Sequence, residues 1–344
     1  IHRLNRAEYA NAVRDLVALE IDARDLLPAE DQGFGFDNNA DVLTTSPGLL
    51  DRYLLAARKI ARQAIGDPTL TPTVETFPVS RLRTQSDRVS EESPFGTRGG
   101  LTLRHTFPLD ADYVLRIRLQ GAAIRDGEIV DVRLDGARVG QIGERAAPPR
   151  APSDVPAEPL IETRFAATAG AHVLTVSLVN HFVAAEGLGP AQLPVGNITF
   201  RASGIANIEL EGPFSPRGVG DTPSRQRIFT CRPTSEKTDT ACASRILGTL
   251  ARRAYRRPIT DADLRTLLDF YREGIAGNPG KDAGKNTGNA PGKDAAFDAG
   301  IRAGLERILI DPEFLFRIER EPANSQGRAF AVSDLELASR LSFF

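Results

Sequence analysis

The 344-residue chain has no methionine, no tryptophan and only two cysteines, and its four histidines, His2, His105, His172 and His181, stand far apart. Each scarcity excludes something. Without Trp the broadest ring for stacking on a flat ligand is missing, and Tyr113 is the only tyrosine between residues 70 and 212. No His-x-x-x-His or His-Glu-x-x-His occurs, so the usual helical zinc motifs are excluded. No Gly-x-Ser-x-Gly is present, and "RGVGDTPSR" lacks the Gly-Lys-Ser/Thr ending of a phosphate-binding loop. No catalytic constellation or cofactor cradle follows from these residues. No apolar run approaches the ~18 residues of a membrane span, and no basic start with an apolar core and a small-residue cleavage site appears. A formal net charge of −2 gives no push toward nucleic acid or an anionic membrane.

What is present is the composition of a globular protein, 41% hydrophobic and 26% charged. The length suits two or three domains of ~100–200 residues each. The start at Ile1 rather than Met, with a helical pattern still running at Phe344, leads us to expect an internal piece of a longer protein.

Residues 1–68 read as helical. "LNRAEYANAVRDLVAL" opens with Asn5 as N-cap and Glu8 three residues on, a capping box, and Leu4 with Tyr9 forms a hydrophobic staple. Tyr9, Val13, Leu16 and Val17 recur at helical spacing. A second helix follows Ser46 and Pro47 and stops at Gly66, with Leu50, Tyr53, Leu54, Ala57, Ile60 and Ala61 as its expected apolar stripe.

After "DPTLTP" the period changes to two. "YVLRIRL" alternates, "EIVDVRLDGARVGQI" reads as two strands about Asp135-Gly136, and "GAHVLTVSLVN" and "VGNITF" add more. Residues 69–213 are therefore expected to form an antiparallel β-sandwich with long loops, among them the Pro-rich "AAPPRAPSDVPAEP". Helical period returns in 214–276, a domain that carries the cysteines, with Thr260 and Asp263 opening one helix. The stretch 277–296, in which PGKDA occurs twice among Gly, Asn and Lys, reads as a flexible loop, and 297–344 as the start of a further, truncated helical domain. In that last part Asp311-Pro312 and the Ser333/Glu336 box open helices. Two short helices seldom bury enough surface alone, so the N-terminal pair should pack on the C-terminal helices with the sandwich inserted between them. The expected class is α+β, a helical body with an inserted sandwich of jelly-roll or carbohydrate-binding-module type.

Several candidate sites emerge. Asp37, Asn39 and Asp41 alternate as at the start of a calcium loop, but Val42 and Gly48 occupy the positions where an EF-hand needs Gly and Glu. The preferred reading is an Asx-rich turn leading into the Ser46 cap, with an irregular ion site as the weaker one. Asn180, His181 and Phe182 in "VNHFVAAEG" are candidate ligand contacts, and Asp110 and Asp112 candidate calcium ligands. Arg252, Arg253, Arg256 and Arg257 in "ARRAYRRP" read as a solvated or ion-paired face, with a buried Arg–carboxylate network as the sharper variant. By spacing, Cys231 and Cys242 fit either a disulfide or two free thiols.

Three strings in this order carry a resemblance: "LNRAEYANAVRDLVAL…DLLPAEDQGFGFDNNADVLTTSPGLLDRYLLAARKIA", "GPFSPRGVGDTPSRQRIFTCRP…CASRILGTLARRAYRRPITDADL" and "AGIRAGLERILIDPEFLFRIE…VSDLELASRLSFF". They resemble a planctomycete-type family of exported multidomain proteins built from domains of unknown function, often fused to a c-type cytochrome module. The resemblance implies an extracytoplasmic (periplasmic or secreted) setting, which favours the Cys231–Cys242 disulfide. It also implies a cytochrome partner or fused module. The chain lacks Cys-x-x-Cys-His and Met, so haem c would lie in a flanking module and this chain is expected to hold no cofactor. The functional expectation is an accessory or binding component of a cytochrome-linked system whose sandwich meets a polysaccharide or other cell-envelope ligand. The alternative is part of a haem-linked oxidoreductase whose active site lies in domains outside this chain.

Overall fold

The computed structural model describes residues 2–30, 46–80, 82–83, 85–120, 129–142, 160–179, 204–233, 236–277, 293–318 and 331–341. In chain order the elements are β1 (His2–Arg3), α1 (Arg6–Val17), α2 (Pro47–Ile65), β2 (Thr73–Pro78), β3 (Thr97–Phe107), β4 (Asp110–Gln120) and β5 (Ile129–Leu134). Next come β6 (Ala137–Ile142), β7 (Leu160–Ala167), β8 (Gly170–Val179), β9 (Gly204–Gly218), α3 (Pro223–Ile228) and α4 (Glu236–Ala254). The last are α5 (Asp261–Ala276), α6 (Lys293–Leu309), α7 (Pro312–Leu315), β10 (Phe316–Arg317) and α8 (Asp334–Leu341). The chain divides into two compact units, one made of Ile1–Asp67 with Asp221–Phe344 and the other of Pro68–Gly220.

The first unit is helical and closes on both ends of its sequence. Asn5 Oδ1 accepts the Glu8 amide at 2.9 Å while Glu8 Oε2 accepts the Asn5 amide at 2.8 Å, so α1 begins where the capping box directs. Its buried residues are Tyr9, Val13, Leu16 and Val17. β1 pairs antiparallel with β10, His2 opposite Arg317 and Arg3 opposite Phe316, which joins the start of the chain to the segment after α7. Arg3 is buried there, donating to Glu30 at 2.6 Å and to the Tyr53 hydroxyl at 2.9 Å. Tyr9 packs between Tyr53 and Phe314 at 5.4 and 5.9 Å. One core runs from Leu4 through the buried faces of α1, α2, α4, α5 and α6 to Leu315.

Two expectations need correction here. Leu50 and Leu54 are 45% and 40% exposed, and the buried face of α2 instead runs through Leu49, Tyr53, Ala56, Ala57, Ile60, Ala61, Ala64 and Ile65. Small alanines let α2 and α6 approach, so the buried arc follows side-chain size as well as hydrophobicity. The sequence also divided 214–276 from 297–344, whereas α4, α5 and α6 share the core. Glycine permits this: Gly274 of α5 and Gly300 of α6 meet so closely that a Cβ on Gly274 would lie 3.0 Å from the Gly300 Cα. The Gly/Lys-rich stretch separates these helices in sequence only.

The second unit is a sandwich of two four-stranded antiparallel sheets, ordered β2-β9-β4-β7 and β3-β8-β5-β6. Tyr113, Leu115, Ile117 and Leu119 of β4 are all buried, as their alternation requires. Phe107 stands at the centre of an aromatic group, 4.5 Å from Tyr113 and 6.1 Å from Phe165. β5 and β6 form the hairpin at Asp135-Gly136, where φ is 50° and 79°, the left-handed pair that a tight primed turn needs. β9 runs on to Gly218, past the boundary expected at residue 213.

Candidate functional site

Asp37, Asn39 and Asp41, and likewise Asn180, His181 and Phe182, lie outside the described residues. Among the described residues no group of three His, Cys, Asp or Glu is placed to hold a metal. Asp110 and Asp112 serve the sandwich itself. Asp110 accepts the Ala169 amide at 2.7 Å, and Asp112 lies between Arg217 at 2.6 Å and Arg164 at 3.2 Å, which, Arg217 first, hold its carboxyl below the usual range. His105 and His172 face each other in register on β3 and β8 and pack on Phe107 at 4.6 and 5.6 Å. His172 Nδ1 lies 2.5 Å from Asp135. Burial opposes ionisation of Asp135, yet the Val173 amide and His172 bring its carboxyl below the ordinary value. His172 braces the hairpin turn, and His105 lies 3.7 Å from Glu75 of β2.

Cys231 and Cys242 are joined by a disulfide with Cα atoms 5.9 Å apart, fixing the segment after α3 to α4. In "ARRAYRRP", Arg252 and Arg253 are exposed. Arg257 turns inward to Asp263 at 2.8 Å and Glu313 at 3.3 Å. The solvated-face reading thus holds for the first pair of arginines, and the ion-paired network describes Arg257.

The two outer faces of the sandwich differ. On the β2-β9-β4-β7 sheet, Arg116 bridges Glu162 at 2.9 Å and Glu211 at 2.6 Å, and Arg118 meets Glu209 at 3.1 Å. Such a ladder is self-satisfied and solvated, with each pair worth ~0–1 kcal/mol. On the β3-β8-β5-β6 side, the segment between β2 and β3 is fastened down. Buried Gln85 donates to Ile205 O at 2.8 Å, and its Oε1 accepts the Ile205 and Gly100 amides at 2.8 and 3.0 Å, bridging strands of both sheets. Arg98 donates to Gln85 O at 2.9 Å, Ser90 to the Thr102 hydroxyl at 2.8 Å, and Thr97 to Pro94 O at 2.7 Å.

This tethered segment presents Phe95, 74% exposed, the only aromatic side chain among the large exposed hydrophobic residues described. The Arg88 guanidinium lies 4.5 Å from its ring centroid and also donates to Ser93 O at 3.3 Å. Exposed Glu91 and Glu92 sit on the same stretch. A large ring held in water has a cost that folding would ordinarily remove by burial, and here the anchoring bonds hold the segment that keeps it out. Chemically the patch offers an apolar face for C–H groups with charged donors and acceptors beside it. Sequence reasoning missed Phe95, although a lone Phe inside the turn-rich "SEESPFGTRGG" is a signal of its own, an apolar side chain where breakers dominate.

Residues 2–66 match the family described as "PSD3: Protein of unknown function (DUF1587)", and residues 242–319 that described as "PSD5: Protein of unknown function (DUF1595)". Both matches fall in the helical unit. No curated protein matches the sequence. Among solved structures, the C-terminal CBM6 of the marine laminarinase LamC from Zobellia galactanivorans is 10% identical, covering 41% of this chain and 100% of its own, at a TM-score of 0.22. The Podospora anserina GH26-CBM35 β-(1,4)-mannanase is 13% identical, over 64% of this chain and 46% of its own, at a TM-score of 0.22. A sugar-binding protein, the EclA C-terminal domain, is 13% identical over 54% of this chain and 97% of its own, at a TM-score of 0.17.

Proposed function

We propose that this chain is a binding component of an extracytoplasmic protein, in which the sandwich presents Phe95 to a polysaccharide of the cell envelope or its surroundings. The observation that carries the reading is the exposed, anchored ring with Arg88 against it. Sugar rings show patches of C–H to an aromatic face and hydroxyls to flanking charged groups, and a tethered segment loses little entropy on binding. The ring stacks the sugar, Arg88 donates to hydroxyls, and Glu91 and Glu92 accept from them. The disulfide supports the extracytoplasmic part, since such bonds persist in oxidising compartments. The cytochrome-linked setting rests on the resemblance of the helical strings alone.

Affinity electrophoresis of the full chain through gels containing neutral polysaccharides, such as β-glucan, mannan or xylan, tests the reading. Wild type should be retarded in at least one, and Phe95→Ala should weaken that retardation about tenfold, as expected for losing ~1–2 kcal/mol of stacking. Because Phe95 is exposed, the variant should unfold at the same temperature as wild type. Retardation in none of the gels, or equal retardation of both proteins, would overturn it.

A further inference from the structure

The helical unit holds a cavity of about 470 Å³ where the end of α1, the helix α3 and the C-terminal half of α4 meet. Every described residue that lines it belongs to this unit. Its walls are fixed to one another. The Ser224 hydroxyl of α3 donates to Ala18 O at 3.2 Å, and Arg227 Nη1 donates to Asp15 O at 3.1 Å, so α3 is fastened to the end of α1. The Cys231–Cys242 disulfide ties the stretch after α3 to α4. A cavity built in this way stands before any ligand arrives, and binding need not order its walls.

The inner wall is apolar. Ile228, Ile246 and Leu250 contribute to it, and each is at most 2% exposed. The mouth is cationic. Arg227 and Arg253 are exposed there, and no Asp or Glu stands among the described lining residues. Arg227 gives one donor to the carbonyl end of α1, and neither arginine meets a carboxylate among the described residues. The acids nearest in the chain are engaged elsewhere: Asp15 lies 3.2 Å from Arg14, and Asp221 accepts from Gln226 at 3.0 Å. The mouth therefore differs from the surroundings of Arg257, whose charge is answered by Asp263 and Glu313.

We propose that this cavity binds a small amphiphilic organic acid, with its apolar body against Ile228, Ile246 and Leu250 and its carboxylate at Arg227 and Arg253. Guanidinium forks match carboxylate oxygens, and an apolar body removes the inner wall from water. Either half alone is a poor ligand. A bare anion leaves the wall wet, and a neutral body leaves both cations without an acceptor. The volume falls within the ~300–1,000 Å³ of pockets that take small molecules. The site lies in the helical unit and does not depend on Phe95.

The test is calorimetric titration of the full chain at low ionic strength with octanoate and with 4-phenylbutyrate. Acetate supplies the charge alone and 4-phenylbutyramide the body alone. At least one of the two amphiphilic acids should bind saturably, and acetate and the amide should each bind it about tenfold more weakly or worse. Arg253→Gln and Arg227→Gln should each weaken the acid about fivefold, as for the loss of one charge-assisted contact at a wet mouth. Arg253→Glu should abolish binding. Arg252→Glu, the same charge change at the neighbouring exposed arginine that does not line the cavity, should bind as wild type does. The proposal is overturned if neither acid binds saturably, if acetate or the amide matches the acid, or if Arg253→Glu and Arg252→Glu bind alike.

Discussion

Replacing Gly300 by alanine should destabilise the helical unit, although alanine is the better helix former. A Cβ at Gly300 would lie 2.5 Å from Tyr271 Cδ2 and 2.9 Å from the Tyr271 carbonyl oxygen. The ring has little room to retreat. Tyr271 is 2% exposed, its ring packs edge-on at 5.8 Å against Phe297, and its hydroxyl donates to Asp239. The carbonyl belongs to α5, so relief requires the two helices to part. Overpacking of this kind costs ~1–3 kcal/mol. Gly-to-Ala propensity returns ~1 kcal/mol. The net expectation is a loss of about 1 kcal/mol, or ~2–4 °C in Tm for a unit of this size. Gly48, in the first turn of α2, supplies the contrast, because nothing lies within 4 Å of its added Cβ. Gly48→Ala should gain ~0.5 kcal/mol. Urea unfolding of both variants, followed by far-ultraviolet circular dichroism, reads the two signs. Stabilisation of Gly300→Ala to the same extent as Gly48→Ala would refute the close approach of α5 and α6.

Two further perturbations probe the same unit. Cys231 and Cys242 close a loop with a sequence separation of 11, for which the chain-entropy relation gives ~3 kcal/mol, so the double Cys-to-Ser variant should lower the urea midpoint accordingly; a midpoint equal to that of wild type would contradict it. Half-buried Glu306 has its carboxyl raised above the ordinary value by burial first, with Asp67 adding to the rise and Arg302, Arg58 and Arg62 opposing it. The folded state therefore binds this proton more tightly than the unfolded chain, and the stability tied to it is present at low pH and is lost as pH rises above the ordinary Glu value. Glu306→Gln should gain on wild type between pH 4 and 8, and a difference that stays flat or slopes the other way would sink the assignment.

The parts of the fold that were legible in sequence are those set by local chemistry. Asn5 with Glu8 and Thr260 with Asp263 are capping boxes in fact. Asp311 with Pro312 opens α7, and Asp135-Gly136 makes the hairpin. What escaped was set by tertiary context. β3 contains Gly99-Gly100 at a register shift, which breaks the alternation that marks a strand. β9 is 15 residues long with shifts against β4, so no single period describes it. On α2, Leu50 and Leu54 look like core by hydrophobicity, yet they are exposed while Ala57 and Ala61 of the same expected stripe are buried.

The candidate site was legible only in part. "ARRAYRRP" marked the arginines, but that Arg257 turns toward Asp263 and Glu313 while Arg252 and Arg253 stay in water depends on how α4 ends. Phe95 carried only the signal of a lone Phe among breakers, because an exposed aromatic and a core aromatic are the same letter. The bonds of Gln85, Ser90, Thr97 and Arg98 hold the segment that keeps it at the surface.

Hydrogen–deuterium exchange of the full chain, with and without the polysaccharide that retards it most, tests the binding surface most directly. Protection confined to the segment around residues 85–100, with no change on the salt-bridged face of Arg116 and Arg118, is the expected result. Protection on that opposite face, or in the helical unit alone, would contradict it.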